Sequence, residues 1–204
     1  MDWLTTLTTA FGAAWLSGIN LYATVVTLGL LQRLGLARLP GDLVVLSHDW
    51  IIALAAVLYV IEFVADKVPV VDSVWDAIHT FVRVPAGAIL AASAFADFDP
   101  PVRVAALLVG GGLALGSHGS KAVTRVAVNT TAPGAGALVS LVEDALAVGF
   151  SALMTFFPLV FLGLLLLIVV GTAWLIPRIV RVLGRMLAML RGPSRRSSAA
   201  SQRR

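Results

Sequence analysis

The sequence predicts an all-α fold, a polytopic transmembrane helix bundle of about six spans with a C-terminal amphipathic helix. Three observations predict it. Hydrophobic residues make up 59% of the 204 positions and charged residues only 13%, about half the charged share of a soluble domain. That leaves too little polar surface to coat a water-facing fold. The apolar residues fall into separate runs of membrane-crossing length. The run from Leu159 to Ile176, LVFLGLLLLIVVGTAWLI, carries no charge at all.

The first span is expected over Phe11–Leu31 and is interrupted in its middle by Gly18 and Asn20, a candidate helix break. Such a break exposes backbone groups, as in discontinuous transporter helices; the plainer reading of Asn20 is an interhelical hydrogen bond. Trp50–Ala65 is the second span, with Glu62 near its end and His48-Asp49 with Trp50 at its boundary. Val84–Phe98 is short and rich in small residues, which suits a buried helix. Val102–Gly116 contains Gly110, Gly111, Gly112 and Gly116, and the Gly112–Gly116 spacing permits close helix approach. Leu138–Phe157 and Leu159–Ile176 complete the six, separated by a turn near Pro158.

Pro177 is expected to end the last span. Beyond it, residues 178–191 set Arg178, Arg181 and Arg185 on one face of an amphipathic, interfacial helix. Residues 1–191 therefore form one transmembrane domain. Residues 192–204, GPSRRSSAASQRR, read as a disordered basic tail. Two segments, 66–83 and 118–137, are too long and apolar for simple loops and are expected to be interfacial or re-entrant. Each begins near a lysine and precedes a small-residue stretch, so the pair suggests an internal repeat.

An even number of spans places both termini on one side. The arginine-rich tail makes that side the cytoplasm and the location a cell inner membrane. Arg33, Arg38 and Arg103 then lie outside with the acidic loop Asp97-Phe98-Asp99, while Lys67, Arg83, Lys121, Arg125 and the tail lie inside. The expected partners are membrane lipids, with anionic headgroups at the tail, and a second copy in a homo-oligomer. Nucleic acid is not expected, because no aromatic or folded motif accompanies the arginines.

The absence of cysteine excludes disulfide and thiolate chemistry. The Met1-Asp2-Trp3-Leu4 start lacks the basic residues of a cleavable signal. GGGLALGSHGSK lacks the spacing of a phosphate loop, and no other cofactor motif appears. His79 and His118 could ligate metal beside carboxylates, but they share no tight spacing, and no metal is expected.

Four stretches carry a family resemblance: GINLYATV (18–25), EFVADKVPVVDSVWDAIHTFVR (62–83), HGSKAVTRVAVNT (118–130) and SLVEDALAV (140–148). They resemble the bacterial membrane proteins grouped as domain of unknown function 4126. The resemblance extends to about Phe157 and implies an integral membrane protein; it supplies no catalytic role.

The functional candidates come from charge. An ionisable group at the bilayer centre costs at least a few kcal/mol, yet this chain gathers its scarce charges into three blocks. Glu62, Asp66, Lys67, Asp72, Asp76, His79 and Arg83 form one; His118, Lys121 and Arg125 the second; Glu143 and Asp144 the third. Glu62 and Asp66, Asp72 and Asp76, and Lys121 and Arg125 are each one helical turn apart. All three blocks fall at the cytoplasmic ends of spans, where they can meet. Glu62 and Glu143, nearest the apolar runs, are best placed to exchange protons. The first reading is a small secondary transporter or permeation protein with a polar pathway through these residues. The second is a non-catalytic scaffold or lipid-interacting protein, its charges a purely structural network. The third is an intramembrane enzyme acting on lipid phosphates, weakened by the lack of any nucleophile–base spacing; a non-enzyme is expected.

Overall fold

The computed structural model describes residues 2–67, 69–132 and 134–190, without the side chains of 69, 70, 72, 73, 183 and 186–190. Among them, all regular structure is helical: α1 (Trp3–Arg33), a 3-10 helix (Gly41–Ser47), α2 (Asp49–Ala65), α3 (Pro69–Ala94), α4 (Pro100–Thr131), α5 (Gly136–Phe156) and α6 (Pro158–Leu190). Five of these helices have the length and apolarity to cross a membrane, or six with the bent pair formed by the 3-10 helix and α2. Large apolar side chains such as Leu108, Leu167 and Trp174 stand exposed on the outside, as a lipid-facing surface requires. The chain is a multi-pass helical membrane protein.

α1 does not cross. A straight helix of 31 residues would be about 46 Å long, yet both ends of α1 meet the same segment of chain. Near its start, Trp3 packs on Phe95 and Phe98, at ring distances of 5.4 and 5.2 Å. Thr6 shares a pocket with Gln32, Arg38 and Gly41, and Thr5 shares another with Leu36 to Leu39. At its other end, the Gln32 side chain accepts the Leu39 N–H at 2.6 Å. The helix therefore turns back on itself, and the turn is at Asn20, whose φ of −146° and ψ of 99° are non-helical.

Local chemistry supports each part of this hairpin. Asp2 caps the first limb, accepting the Thr5 N–H at 2.8 Å. Asn20 caps the second limb in the same way, through the Ala23 N–H at 2.9 Å. The second limb ends in a Schellman turn: Gly35, at φ +70°, donates to Gln32 O and Leu36 donates to Leu31 O.

The first limb is wedged between α3 and α4 along a small-residue seam. A Cβ on Gly18 would overlap Ser117 Oγ and Ala114 O, and one on Gly87 would overlap Ala114 and Ser17. Ser117 Oγ donates to Trp15 O across this seam at 2.7 Å. The close face of α4 is therefore Gly110, Ala114 and Ser117. The expected close face, Gly112 and Gly116, has nothing within 4 Å of an added Cβ, because those glycines line an open cleft shared with Trp15 and with Val169 and Thr172 of α6.

Two further expectations change. The segments 66–83 and 118–137 are not separate re-entrant pieces. The first belongs to the start of α3 and the second to the end of α4 and the turn after it, so they are not equivalent positions of a repeat. α6 continues through Pro177 to Leu190. A proline inside a membrane helix is tolerated; one residue on, Arg178 folds back over the Trp174 ring at 3.3 Å and donates to Trp174 O. The tail at 192–204 lies outside the described residues.

Candidate functional site

The site forms where the ends of α2 and α4 meet the starts of α3 and α5, with the tip of the α1 hairpin entering from the other side. Four helices contribute charge by simple periodicity. Asp76, His79, Thr80 and Arg83 share one face of α3, as do His118, Lys121 and Arg125 on α4. Glu62 and Arg83 are fully buried, and Asp66, His79, His118, Lys121, Arg125, Glu143 and Asp144 are at most 9% exposed. Charges removed from water to this degree must be paired and hydrogen-bonded.

Each cation faces more than one carboxylate. Arg83 Nη2 pairs with Glu62 Oε1, and its Nη1 reaches Asp76 Oδ1 at 3.1 Å. Arg125 Nη2 donates to Asp66 Oδ2 at 3.0 Å and to Glu143 Oε2 at 2.8 Å, and its Nε lies 3.8 Å from Asp76. Lys121 Nζ lies 3.2 Å from Glu143, 3.7 Å from Asp76 and 3.9 Å from Glu62. Ser140 Oγ donates to Asp66 Oδ2 at 2.9 Å. Burial would raise the Asp66 carboxyl, but Lys121 and Arg125, with the Ser140 bond, hold it below the ordinary carboxylate value.

The hairpin tip belongs to the same network. Lys121 Nζ donates to Ile19 O at 3.2 Å, placing an ammonium at the carbonyl end of the first limb, where the helix dipole is negative. Asn20 Nδ2 donates to Asp144 Oδ1 at 2.8 Å, placing a carboxylate beside the amide end of the second limb, where the dipole is positive. Both broken ends of α1 thus meet the opposite charge.

Two imidazoles complete the shell. His118 Nδ1 lies 3.2 Å from Arg83 Nη1 and its Nε2 2.7 Å from Thr80 Oγ1. His79 stacks on Trp75, bonds to Trp75 O through Nδ1 at 2.9 Å and meets Tyr22 OH at Nε2 at 3.0 Å. Among the described residues no group of three or more such side chains has the geometry to hold a metal ion. A cleft of about 280 Å³ between α3 and α4, lined by Asp76, Thr80, His118, Arg125 and Asn129, reaches this side of the network.

Of the residues expected to line a pathway, Glu62, Asp66, Asp76, Arg83, Lys121, Arg125 and Glu143 are brought together, and Asp144 joins them through Asn20. Lys67 is not in contact with them. It is exposed, its Nζ donating to Phe63 O and lying 3.0 Å from the Phe63 ring centroid. Its stem leaves the helix end toward the surface. The Asp72 side chain lies outside the described residues. His79 and His118, which stand in the same charge blocks of the sequence, and Thr80, which shares the helical spacing of Asp76 and Arg83, join the site as well; Tyr22 and Ser140 were not expected there and have no comparable sequence signal.

No curated protein and no solved structure matches the chain. The sequence profile described as Domain of unknown function (DUF4126) matches residues 7–178, and on that match the chain belongs to this family of proteins of unknown function.

Proposed function

We propose that the chain is a small secondary transporter or permeation protein whose polar site is the charge network around Asn20. The observation that supports this reading most is the broken α1. Its two limbs bring a carbonyl, Ile19 O, and a carboxamide, Asn20, to buried Lys121 and Asp144. Discontinuous helices with oppositely charged partners at their ends are how membrane transporters present backbone groups to ions and substrates near the midplane. The polar cleft beside Asp76 and His118 is a route for water toward the network.

Charge distribution supplies the orientation. The end reached by α6 has Lys67 and Arg178, Arg181 and Arg185, followed in sequence by Arg191, Arg195, Arg196, Arg203 and Arg204; the other end has Arg33, Arg38 and Arg103. By the positive-inside rule the first faces the cytoplasm. In this reading α1 is a re-entrant hairpin and α2 to α6 make five crossings, so the C-terminus is cytoplasmic and the N-terminus external in place of the expected pair of cytoplasmic termini, with the arginines against anionic headgroups of an inner membrane. Homo-oligomerisation belongs to the same reading: Gly112 and Gly116 leave a smooth face on α4.

The test is proton movement in proteoliposomes containing a trapped pH dye, under an imposed potassium diffusion potential. Wild-type protein accelerates dye response over protein-free vesicles, and Glu62→Gln and Glu143→Gln bring it back toward the protein-free rate. A wild-type rate equal to empty vesicles, or full rates in both variants, overturns the reading.

A structural scaffold is the second reading. It is favoured by the pairing of Arg83, Lys121 and Arg125 with two or three carboxylates each. It requires Glu62→Gln and Lys121→Ala to lower stability in detergent while cellular phenotypes only follow protein abundance. An enzyme acting on lipid phosphates draws less support, since these cations are turned toward carboxylates.

A further inference from the structure

The buried network is not neutral on paper. Among the described residues four buried carboxylates (Glu62, Asp66, Glu143 and Asp144) and the half-buried Asp76 accompany three buried cations (Arg83, Lys121 and Arg125), an excess of two negative charges. The imidazoles do not make up the difference. A guanidinium only donates, so His118 Nδ1 accepts from Arg83 and His118 is neutral. His79 Nδ1 donates to Trp75 O; even with a second proton on His79, one carboxylate remains uncompensated. An unpaired buried charge costs several kcal/mol, and such a group neutralises by taking a proton.

The contacts single out which one. Glu62, Asp66, Asp76 and Glu143 each touch at least one cation within 4.0 Å. Asp144 touches none; its Oδ1 accepts only from Asn20, and its Oδ2 is buried without a partner. The groups that bear on it at longer range are Asp66 and Lys67 after α2, Tyr59 on α2 and Lys121 on α4, a mixed set with no dominant cation. Glu62 and Glu143, expected from sequence to be the exchanging groups, each face a buried cation, Arg83 for Glu62 and Arg125 for Glu143.

We infer that Asp144 is a proton-binding site, taking a proton from water on Oδ2 and returning it to water, and that Asn20 reports its state to the α1 hairpin. The ionised carboxylate holds the Asn20 carboxamide strongly and the neutral acid holds it weakly. Because the same carboxamide caps the second limb through Ala23 N, loading Asp144 loosens the tip of the hairpin. This deepens the permeation reading by naming the coupling proton and its carrier, but its test does not depend on flux.

The test is infrared difference spectroscopy of nanodisc-embedded protein between mildly acidic and mildly alkaline buffer. The expected result is a protonated-carboxyl band that is present in wild type and in Glu143→Gln and absent in Asp144→Asn. A band unchanged in Asp144→Asn overturns the inference. Should Asp144→Asn fail to fold, Asn20→Ala decides: loss of the donor to the ionised form moves the midpoint of the band to higher pH, and an unmoved midpoint overturns the inference. A band that depends on Asp144 in a protein without flux removes the transport reading and leaves the proton site standing. Flux that depends on Glu62 with no Asp144 band does the reverse.

Discussion

Asn20 Nδ2 lies 2.8 Å from Asp144 Oδ1, joining the tip of a hairpin in the first helix to a carboxylate 124 residues later in the chain. The same side chain accepts the Ala23 N–H through its Oδ1. One carboxamide therefore closes the second limb of α1 and fastens it to α5.

Substitution at Asn20 separates these two roles. Asn20→Ala loses both the cap and the bond to Asp144, for about 2 kcal/mol. Asn20→Ser keeps a capping hydroxyl but does not reach Asp144, so it recovers about half of that loss. Melting temperatures in detergent rank the three proteins as wild type, Asn20→Ser, Asn20→Ala.

The glycine seam makes a second contrast. Gly18→Ala forces a methyl into Ser117 Oγ and the Ala114 carbonyl, an overpacking cost of about 1–3 kcal/mol. Gly112→Ala meets open space and changes stability by no more than about 0.5 kcal/mol. Thermal unfolding of the two single variants checks the difference.

Arg83 and Glu62 pair without exposure on either side chain. Arg83→Ala leaves Glu62 buried and lacking its closest partner, a loss of about 3–5 kcal/mol. Replacing both, as Arg83→Met with Glu62→Gln, restores most of that stability, because the buried charge goes with its counter-ion. A double variant less stable than Arg83→Ala in the same unfolding assay contradicts this.

Acid sensitivity follows from Asp66. Its folded carboxyl lies below the ordinary value of 3.8, so the stability it contributes is fully present above that pH and is lost as pH falls through the lower folded value. Asp66→Asn, measured by unfolding along an acid series, is less stable than wild type at neutral pH and loses less on acidification. A steeper loss in the variant contradicts the assignment.

Much of this fold is legible in the sequence because lipid punishes polar groups wherever they stand. The run Trp50–Ala65 becomes α2 within one residue, and the uncharged run from Leu159 becomes the core of α6. The convergence of Glu62, Asp66, Asp76, Arg83, Lys121, Arg125 and Glu143 is legible for the same reason: isolated charges in oil are too costly, so they seek one another. The reversal of α1 is not legible. Apolar composition records how much lipid or protein a segment meets, not the direction it travels, so Phe11–Leu31 reads as one span. Its turn is fixed by distant partners, Lys121 on Ile19 O, Ser117 on Trp15 O and Asp144 on Asn20. The same holds for Gly112 and Gly116: spacing identifies a smooth face, while the register of α4 decides that Gly110, Ala114 and Ser117 are the residues pressed against α1.

The hairpin can be tested by which side of the membrane its ends occupy. The chain has no cysteine, so single cysteines at Asp2, Leu34 and Arg181, all exposed positions, can be probed with a membrane-impermeant maleimide in intact cells and in inverted vesicles. Asp2→Cys and Leu34→Cys label from the same side, and Arg181→Cys labels only from the other. Labelling of Asp2→Cys and Leu34→Cys from opposite sides would mean that α1 crosses the membrane, and the site built around its tip would not exist.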